Sequence, residues 1–104
     1  MSSQISTQQF DELINSGVTL LDFSASWCGP CKALEPVIAQ LNEQYAGRAE
    51  IKKIDIDHNR DLAVQMGIQS VPTLILFKDG QEMQRLIGMQ RKDVLQKALD
   101  AALS

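Results

Sequence analysis

Two cysteines separated by two residues are the side chains of this sequence best suited to chemistry. Cys28 and Cys31 flank a Gly-Pro pair, and the 104-residue chain contains no other cysteine. A disulfide scaffold would spread several cysteines along the chain, whereas a bridge between these two closes only a small loop and adds little stability. With the lone His58 they also fall short of the four ligands of a structural zinc site. The pair is therefore predicted to undergo reversible disulfide exchange, with no metal.

Disulfide exchange needs one accessible thiolate and a second thiol that releases the mixed disulfide. Cys28 precedes a helical pattern, so its sulfur should lie near the free N–H groups and the positive end of the helix dipole. Gly29 leaves room for a substrate, and Pro30 suits a first helical turn. We therefore predict Cys28 as the nucleophile, the more buried Cys31 as the resolving thiol, and Gly29 and Pro30 as redox-tuning residues.

Strand patterns surround the cysteine pair and continue after it. Apolar and alternating runs predict strands at 18–25, 49–56, 73–78 and 82–87. The strand before the cysteines is apolar on both faces, which favours a central position in a sheet covered on both sides. Asp79-Gly80 predicts a tight hairpin between the last two strands.

Helical spacing of apolar residues predicts four helices between and after these strands. They include positions 10–14, 34–45, 62–66 and 94–102. Ser6 and Gln9 form a capping-box pattern before the first helix, and either Asp57 or Asn59 could cap the third. The alternation implies parallel crossovers and the hairpin an antiparallel edge, so the fold class is α/β with a mixed central sheet. We expect residues 1–104 to form a single domain.

Composition excludes several classes of function. The formal charge is -3 and no basic block occurs, so neither nucleic acid nor an anionic membrane is expected as a partner. Residues 1–4 lack the basic and apolar regions of a secretory signal, and the longest apolar run is too short to span a bilayer.

Three further residues each allow two interpretations. Asp22, an acid in an apolar strand, is either a solvated carboxylate at a sheet edge or a desolvated carboxyl whose raised pKa lets it take the proton of Cys31. Pro72 interrupts a strand pattern and is either a loop proline or part of the site. Trp27, the only tryptophan, either packs beside the active site or fills the core.

The chain resembles the thioredoxin family, bacterial-type cytosolic members in particular, nearly from end to end. The matching motifs are Asp22-Phe23, the run from Trp27 to Lys32, Pro36, 55–57, 71–73, 77–80 and Gly88. Each motif alone is weak, but their order and spacing are specific. The resemblance implies a thioredoxin fold of five strands with four helices covering both faces of the sheet.

The resemblance also assigns roles to residues around the cysteines. It supports Asp22 as proton acceptor for Cys31 and implies Lys53 as a cation that modulates its pKa, although Lys53 alone also fits a surface charge. It implies a cis peptide bond at Pro72, with the backbone of Val71 pairing with an extended substrate. The family's shallow apolar patch corresponds here to Trp27, Gly29, Ile56, Val71, Gly88 and Met89.

Two positions depart from the family pattern. Ser24 stands where many thioredoxins carry a second tryptophan, and Ser70 stands where a small residue, often glycine, precedes the Val-Pro-Thr run. We expect Ser24 to alter packing and redox potential near Cys31, and Ser70 to alter affinity at the groove. Neither residue touches the reacting sulfurs.

The function expected from the sequence is reduction of protein disulfides in the cytoplasm by a monomer with no bound cofactor. By resemblance, a flavin-dependent and NADPH-using thioredoxin reductase would restore the dithiol, since no cofactor fingerprint occurs in this chain. Two alternatives stay open. A thiol oxidase or isomerase would show a more oxidising potential. A redox-dependent binding module would keep its cellular function after both cysteines are substituted.

Overall fold

The structure is a computed structural model that describes residues 5–104. The prediction that no secretory signal is present concerns residues 1–4, which lie outside that range. The elements in chain order are α1 (Thr7–Ile14), β1 (Val18–Ser24), α2 (Gly29–Gln44), β2 (Ala49–Asp55), α3 (Arg60–Gln65), β3 (Thr73–Lys78), β4 (Gln81–Ile87) and α4 (Lys92–Leu103). Within the described part of the chain, no helix has the length and hydropathy that crossing a bilayer requires.

The strands form one mixed sheet in the order β2-β1-β3-β4. β1 and β2 are parallel, whereas β1–β3 and β3–β4 are antiparallel. The mixed sheet and the central position of β1 are therefore confirmed. Of the two helical connections between strands, only α2 joins a parallel pair, β1 and β2. After the six-residue α3, β3 runs antiparallel to β1 on its other side.

The expectation of five strands is wrong for residues 5–104, which contain four. In that range only Ile5 and Ser6 precede α1, and Ser6 already serves as its N-cap. Two residues are too few to add a strand beside the sheet edge. The remaining connections are turns and helix ends, so the described chain offers no other segment for a fifth strand.

Each face of β1 packs against its own set of helices. Leu20 belongs to a core cluster with Leu34 of α2 and Leu99 of α4, whereas Phe23 lies in a second cluster with Phe10 of α1 and Phe77 of β3. Successive strand residues alternate between faces, so even-numbered positions of β1 face α2 and α4. Every β1 side chain is buried, as the apolar pattern predicts.

Local signals fix where the first helix begins and where the hairpin turns. The Ser6 hydroxyl accepts a hydrogen bond from the Gln9 N–H at 3.0 Å, and the Gln9 side chain accepts from the Ser6 N–H at 2.7 Å, which confirms the capping box. Asp79 and Gly80 both adopt positive φ, 50° and 88°, as a tight hairpin turn requires. The Asp79 carboxylate also accepts from the Gly17 N–H at 2.8 Å, which ties the turn to the start of β1.

Candidate active site

The two cysteines lie at the start of α2 and form a disulfide. Cys28 is the N-cap, in extended conformation, and its Sγ accepts a hydrogen bond from the Cys31 N–H at 3.2 Å. Pro30 follows in the first turn, where its missing N–H has no helical partner to lose. The helix therefore begins directly after Cys28, and the free N–H groups of its first turn lie near the Cys28 sulfur.

Both cysteines are largely buried, but to different degrees. Cys28 is 5 % exposed and Cys31 is 1 % exposed, so the cysteine at the helix start is the more accessible of the two. Ile56 and Val71 pack against the small cluster that both cysteines form with Ala25. This apolar setting limits solvent access to the disulfide.

The loop before β3 faces the disulfide. The peptide bond between Val71 and Pro72 is cis, and the Val71 carbonyl oxygen lies 3.7 Å from the Cys28 Sγ. The Gly88 N–H donates to the Pro72 carbonyl at 2.8 Å, and the Thr73 hydroxyl donates to the Ser70 carbonyl at 2.7 Å. Pro72 is therefore buried in the loop that faces Cys28, and its role in the site stays a prediction.

A shallow cavity of about 300 Å³ opens beside the disulfide. Its lining residues are Trp27, Ile56, Ile68, Gln69, Ser70 and Val71. Three of the predicted groove residues thus come together here, whereas Gly88 contacts the groove through Pro72, and Met89 beyond it is 50 % exposed. Gly29 is exposed at the start of α2. The cavity is open and mostly apolar, as a surface for an extended chain would be.

Trp27 is 67 % exposed, so it does not fill the core. Its Nε1–H donates to the Asp57 Oδ2 at 2.8 Å, which fixes the indole ring at the groove edge. Asp55 holds the segment carrying that acid, because its Oδ1 accepts from the Asp57 N–H at 2.8 Å. Asp57 was expected only as a helix cap, but the N-cap of α3 is Asn59, without a side-chain capping bond. The spacing of the two aspartates is a sequence signal for the turn that Asp55 closes, but not for the contact between Asp57 and Trp27.

Asp22 is buried in the middle of the sheet, and its alternative as a solvated edge carboxylate is wrong. It is 1 % exposed, and neither carboxylate oxygen has a hydrogen-bond partner within residues 5–104. Loss of hydration raises its pKa from 3.8 to about 6; Lys53 opposes this rise and Glu35 adds to it. Asp22 shares the α2-facing side of β1 with Leu20, so its carboxyl lies in the layer beneath the helix that carries Cys31.

Lys53 pairs in register with Asp22 across β1 and β2, but its ammonium binds elsewhere. The Lys53 Nζ lies 2.5 Å from the Glu35 Oε2, and the two side chains are 41 % and 51 % exposed. Lys53 thus forms a surface ion pair, and its charge lowers the pKa of Asp22; its part in the reaction stays a prediction. Glu35 was missed, because nothing in a sequence shows that residues eighteen positions apart will pair.

The two departures from the family pattern occupy different surroundings. Ser24 is fully buried, and its hydroxyl has no hydrogen-bond partner among the described residues, whereas Ser70 is exposed and lines the groove. In the described part of the chain, no three His, Cys, Asp or Glu side chains come together as a metal site.

Comparison with known proteins agrees with this geometry. The thioredoxin family model matches residues 2–101. A thioredoxin of Staphylococcus haemolyticus is 45% identical over 100 residues, covering 96% of both chains, and one of Staphylococcus aureus is 44% identical over the same length and coverage. A mutant thioredoxin from Halobacterium salinarum has a closely similar structure, with a TM-score of 0.88, 38% identity, and coverage of 97% of this chain and 89% of that one.

A helix-capping disulfide, a groove beside it and relatives that match along nearly the full length lead to one assignment. The chain belongs to the thioredoxin family and is an oxidoreductase that acts on protein disulfides through Cys28 and Cys31.

Proposed function

We propose that the chain works as a reductase, donating two electrons from the Cys28–Cys31 pair to disulfides of protein substrates. The observation that carries the exchange chemistry is the placement of Cys28 as N-cap of α2. A thiolate there is stabilised by the Cys31 N–H and by the helix dipole, so Cys28 can attack a substrate disulfide near neutral pH. The direction, reduction of the substrate, rests on the similarity to thioredoxins. The Gly-Pro pair between the cysteines resembles that of reductases.

In the proposed reaction the Cys28 thiolate attacks one sulfur of the substrate disulfide. A bond forms between Cys28 and that sulfur, the substrate bond breaks, and the first substrate thiolate leaves and takes a proton from solvent. Cys31 then loses its proton and attacks the Cys28 sulfur. The Cys28–Cys31 disulfide forms, and the second substrate thiolate departs, so the substrate gains the two electrons that the pair loses.

Asp22 is proposed as the acceptor of the Cys31 proton. An unpartnered carboxyl with a pKa of about 6 is ionised at neutral pH, yet it binds a proton far more readily than an exposed aspartate does. Lys53 is proposed to modulate that affinity. Because the Asp22 carboxyl lies on the side of β1 that faces α2, the proton would be transferred on the side of the sheet that α2 covers.

Substrate recognition is proposed to use the backbone of Val71 and the apolar groove. An extended chain added beside Val71 would place its own disulfide against the Cys28 sulfur, since the Val71 carbonyl lies 3.7 Å away. Main-chain pairing tolerates many sequences. Trp27, Ile56 and Met89 would supply apolar contact, and Gly88 and cis Pro72 would keep the loop in place.

We further propose that residues 1–104 act as one monomeric domain in the cytoplasm. A flavin-dependent thioredoxin reductase that uses NADPH would return two electrons to the disulfide, in keeping with the family. The chain itself would bind no cofactor, so the hydride chemistry belongs to that partner.

A trapping experiment tests the proposal. In Cys31→Ala the mixed disulfide at Cys28 cannot be resolved, so disulfide-bearing proteins should remain attached and be released by dithiothreitol. Cys28→Ala is the matched control and should trap none. Recovery of no disulfide-linked protein, or cellular function that survives loss of both cysteines, would favour the binding-module alternative.

The direction of electron flow has its own measurement. The reduced protein should cleave the interchain disulfides of insulin, and its equilibrium with glutathione should place its potential below that of the glutathione pool. A strongly oxidising potential would favour the oxidase or isomerase instead.

A further inference from the structure

Glu35 binds the Lys53 ammonium, the cation that lowers the pKa of the buried Asp22 carboxyl. The Lys53 Nζ lies 2.5 Å from the Glu35 Oε2, although Lys53 is the register partner of Asp22 on the neighbouring strand. In the described part of the chain, neither Asp22 carboxylate oxygen has a hydrogen-bond partner. An adjacent ammonium stabilises a buried carboxylate, yet the Lys53 ammonium contacts Glu35 instead of Asp22.

The structure offers one cause of this placement on the helix above. Glu35 follows Cys31 by four residues on α2, and so lies one turn further along the same side of that helix. From there it draws the Lys53 ammonium outward to a position where the ion pair is about half exposed. The same negative charge also acts on Asp22 through the protein.

We infer that Glu35 is a positioning residue: by binding Lys53 it keeps the ammonium off Asp22 and so sets the proton affinity of the carboxyl beneath Cys31. The inference deepens the proposed function, because Asp22 matters to turnover only if it accepts the Cys31 proton. The positioning itself is independent of turnover.

Other elements around Asp22 offer no competing charge. β3 places Leu74 in register beside it, and the α4 residues of the adjoining core cluster are Leu95, Ala98, Leu99 and Ala102. On α2, Lys32 acts electrostatically on Glu35. The charged groups that act on Asp22 are thus Lys53, which lowers its pKa, and Glu35, which raises it.

Direct titration of the Asp22 carboxyl carbon by NMR, in the intact oxidised protein, tests the inference. In Glu35→Gln the freed ammonium can approach Asp22, so the titration midpoint should fall by roughly half a pH unit, the scale of a solvent-screened ion pair. Glu43→Gln is the matched control, since Glu43 is an exposed acid of α2 whose side chain makes no ion pair within residues 5–104. It should leave the midpoint unchanged.

A double-variant cycle separates positioning from simple charge. In a Lys53→Gln background no ammonium remains to be positioned, so Glu35→Gln should lower the midpoint much less than it does in the parent. An equal fall of the midpoint in both backgrounds would show that Glu35 acts only through its own charge. No fall in either background would show that Glu35 has no effect on Asp22. Either result overturns the inference. Restoring the carboxylate as Glu35→Asp should recover part of the parental midpoint.

The pH dependence of turnover distinguishes this inference from the proposed role of Asp22. If Asp22 accepts the proton, the acid limb of insulin reduction should move to lower pH in Glu35→Gln along with the NMR midpoint. A midpoint that moves without the acid limb would uphold the positioning by Glu35 and refute the catalytic role of Asp22.

Discussion

Two polar side chains of β1, three residues apart, are equally buried but differ in their hydrogen bonding. Thr19 is 0 % exposed and faces α1, where its hydroxyl donates to the Leu13 carbonyl at 3.2 Å. Asp22 is 1 % exposed and faces α2, where its carboxylate has no partner. A buried polar group that is hydrogen-bonded supports the fold, whereas an unbonded carboxylate lowers stability and binds a proton at a higher pH than an exposed carboxylate does. The α1 side of the strand therefore supports the fold, and the α2 side holds the carboxyl that is proposed to react.

The largest effect expected from this contrast is a pH dependence of stability that Asp22 alone causes. Its pKa is about 6 when folded against 3.8 when exposed, so the group destabilises the fold above pH 6 and does so progressively less as pH falls toward 3.8. Each pKa unit corresponds to about 1.4 kcal/mol, which gives about 3 kcal/mol in total. The stability advantage of Asp22→Asn over the parent should shrink by most of that amount between pH 7 and pH 4.

Urea unfolding at the two pH values measures this difference. Asp11→Asn, at an exposed position of α1, is the control, and its stability relative to the parent should change far less. A parent and Asp22→Asn pair whose unfolding free energies stay parallel from pH 7 to pH 4 would show that the carboxyl is not desolvated.

The next effect concerns the reaction. Asp22→Asn keeps the shape of the side chain but cannot accept a proton, so the step in which Cys31 displaces a thiol from Cys28 should slow about 100-fold at pH 7. A mixed disulfide of Cys28 with thionitrobenzoate reports that step through the colour of the released thiol. Thr19→Val should resolve the same adduct at the parental rate, and an equally slow Thr19→Val would erase the distinction between the two sides of β1.

Sequence patterns predict this strand well because burial of both faces leaves a plain signal. The near-continuous apolar run placed β1 at the centre of the sheet, and Cys28 before a helical pattern placed the sulfur at a helix start. Asp22 stood out for the same reason, as an acid where the pattern is apolar.

Contacts between distant side chains left no such signal. The Trp27–Asp57 hydrogen bond and the Lys53–Glu35 ion pair each join residues on separate elements, and neither needs a particular spacing along the chain. The exposure of Trp27 likewise follows from the tertiary arrangement of its neighbours and not from its type, because a lone tryptophan fits both a core and a groove. The fifth strand came from the resemblance to the family, whereas the apolar patterns of the chain predict the four strands that residues 5–104 contain.

A smaller effect tests the α1 side of β1. Thr19→Val removes the hydroxyl and leaves the Leu13 carbonyl without this donor, so the free energy of unfolding should fall by about 1 kcal/mol. Chemical denaturation at pH 7 measures it. No loss would mean that the hydrogen bond to Leu13 adds nothing to stability and that both sides of the strand tolerate unpaired groups.

The smallest effect is expected at Ser24, two residues beyond Asp22 on the α2 side. Its hydroxyl is fully buried without a partner, so Ser24→Ala removes a group that loses its hydration and gains no bond. Unfolding free energy should stay within about 0.5 kcal/mol of the parent or rise, in contrast to the loss at Thr19, although each substitution deletes one buried hydroxyl. A loss of 1 kcal/mol or more that disappears in the Asp22→Asn background would instead show that Ser24 solvates the carboxylate. The α2 side would then contain a bonded pair, and the contrast with Thr19 would narrow to charge alone.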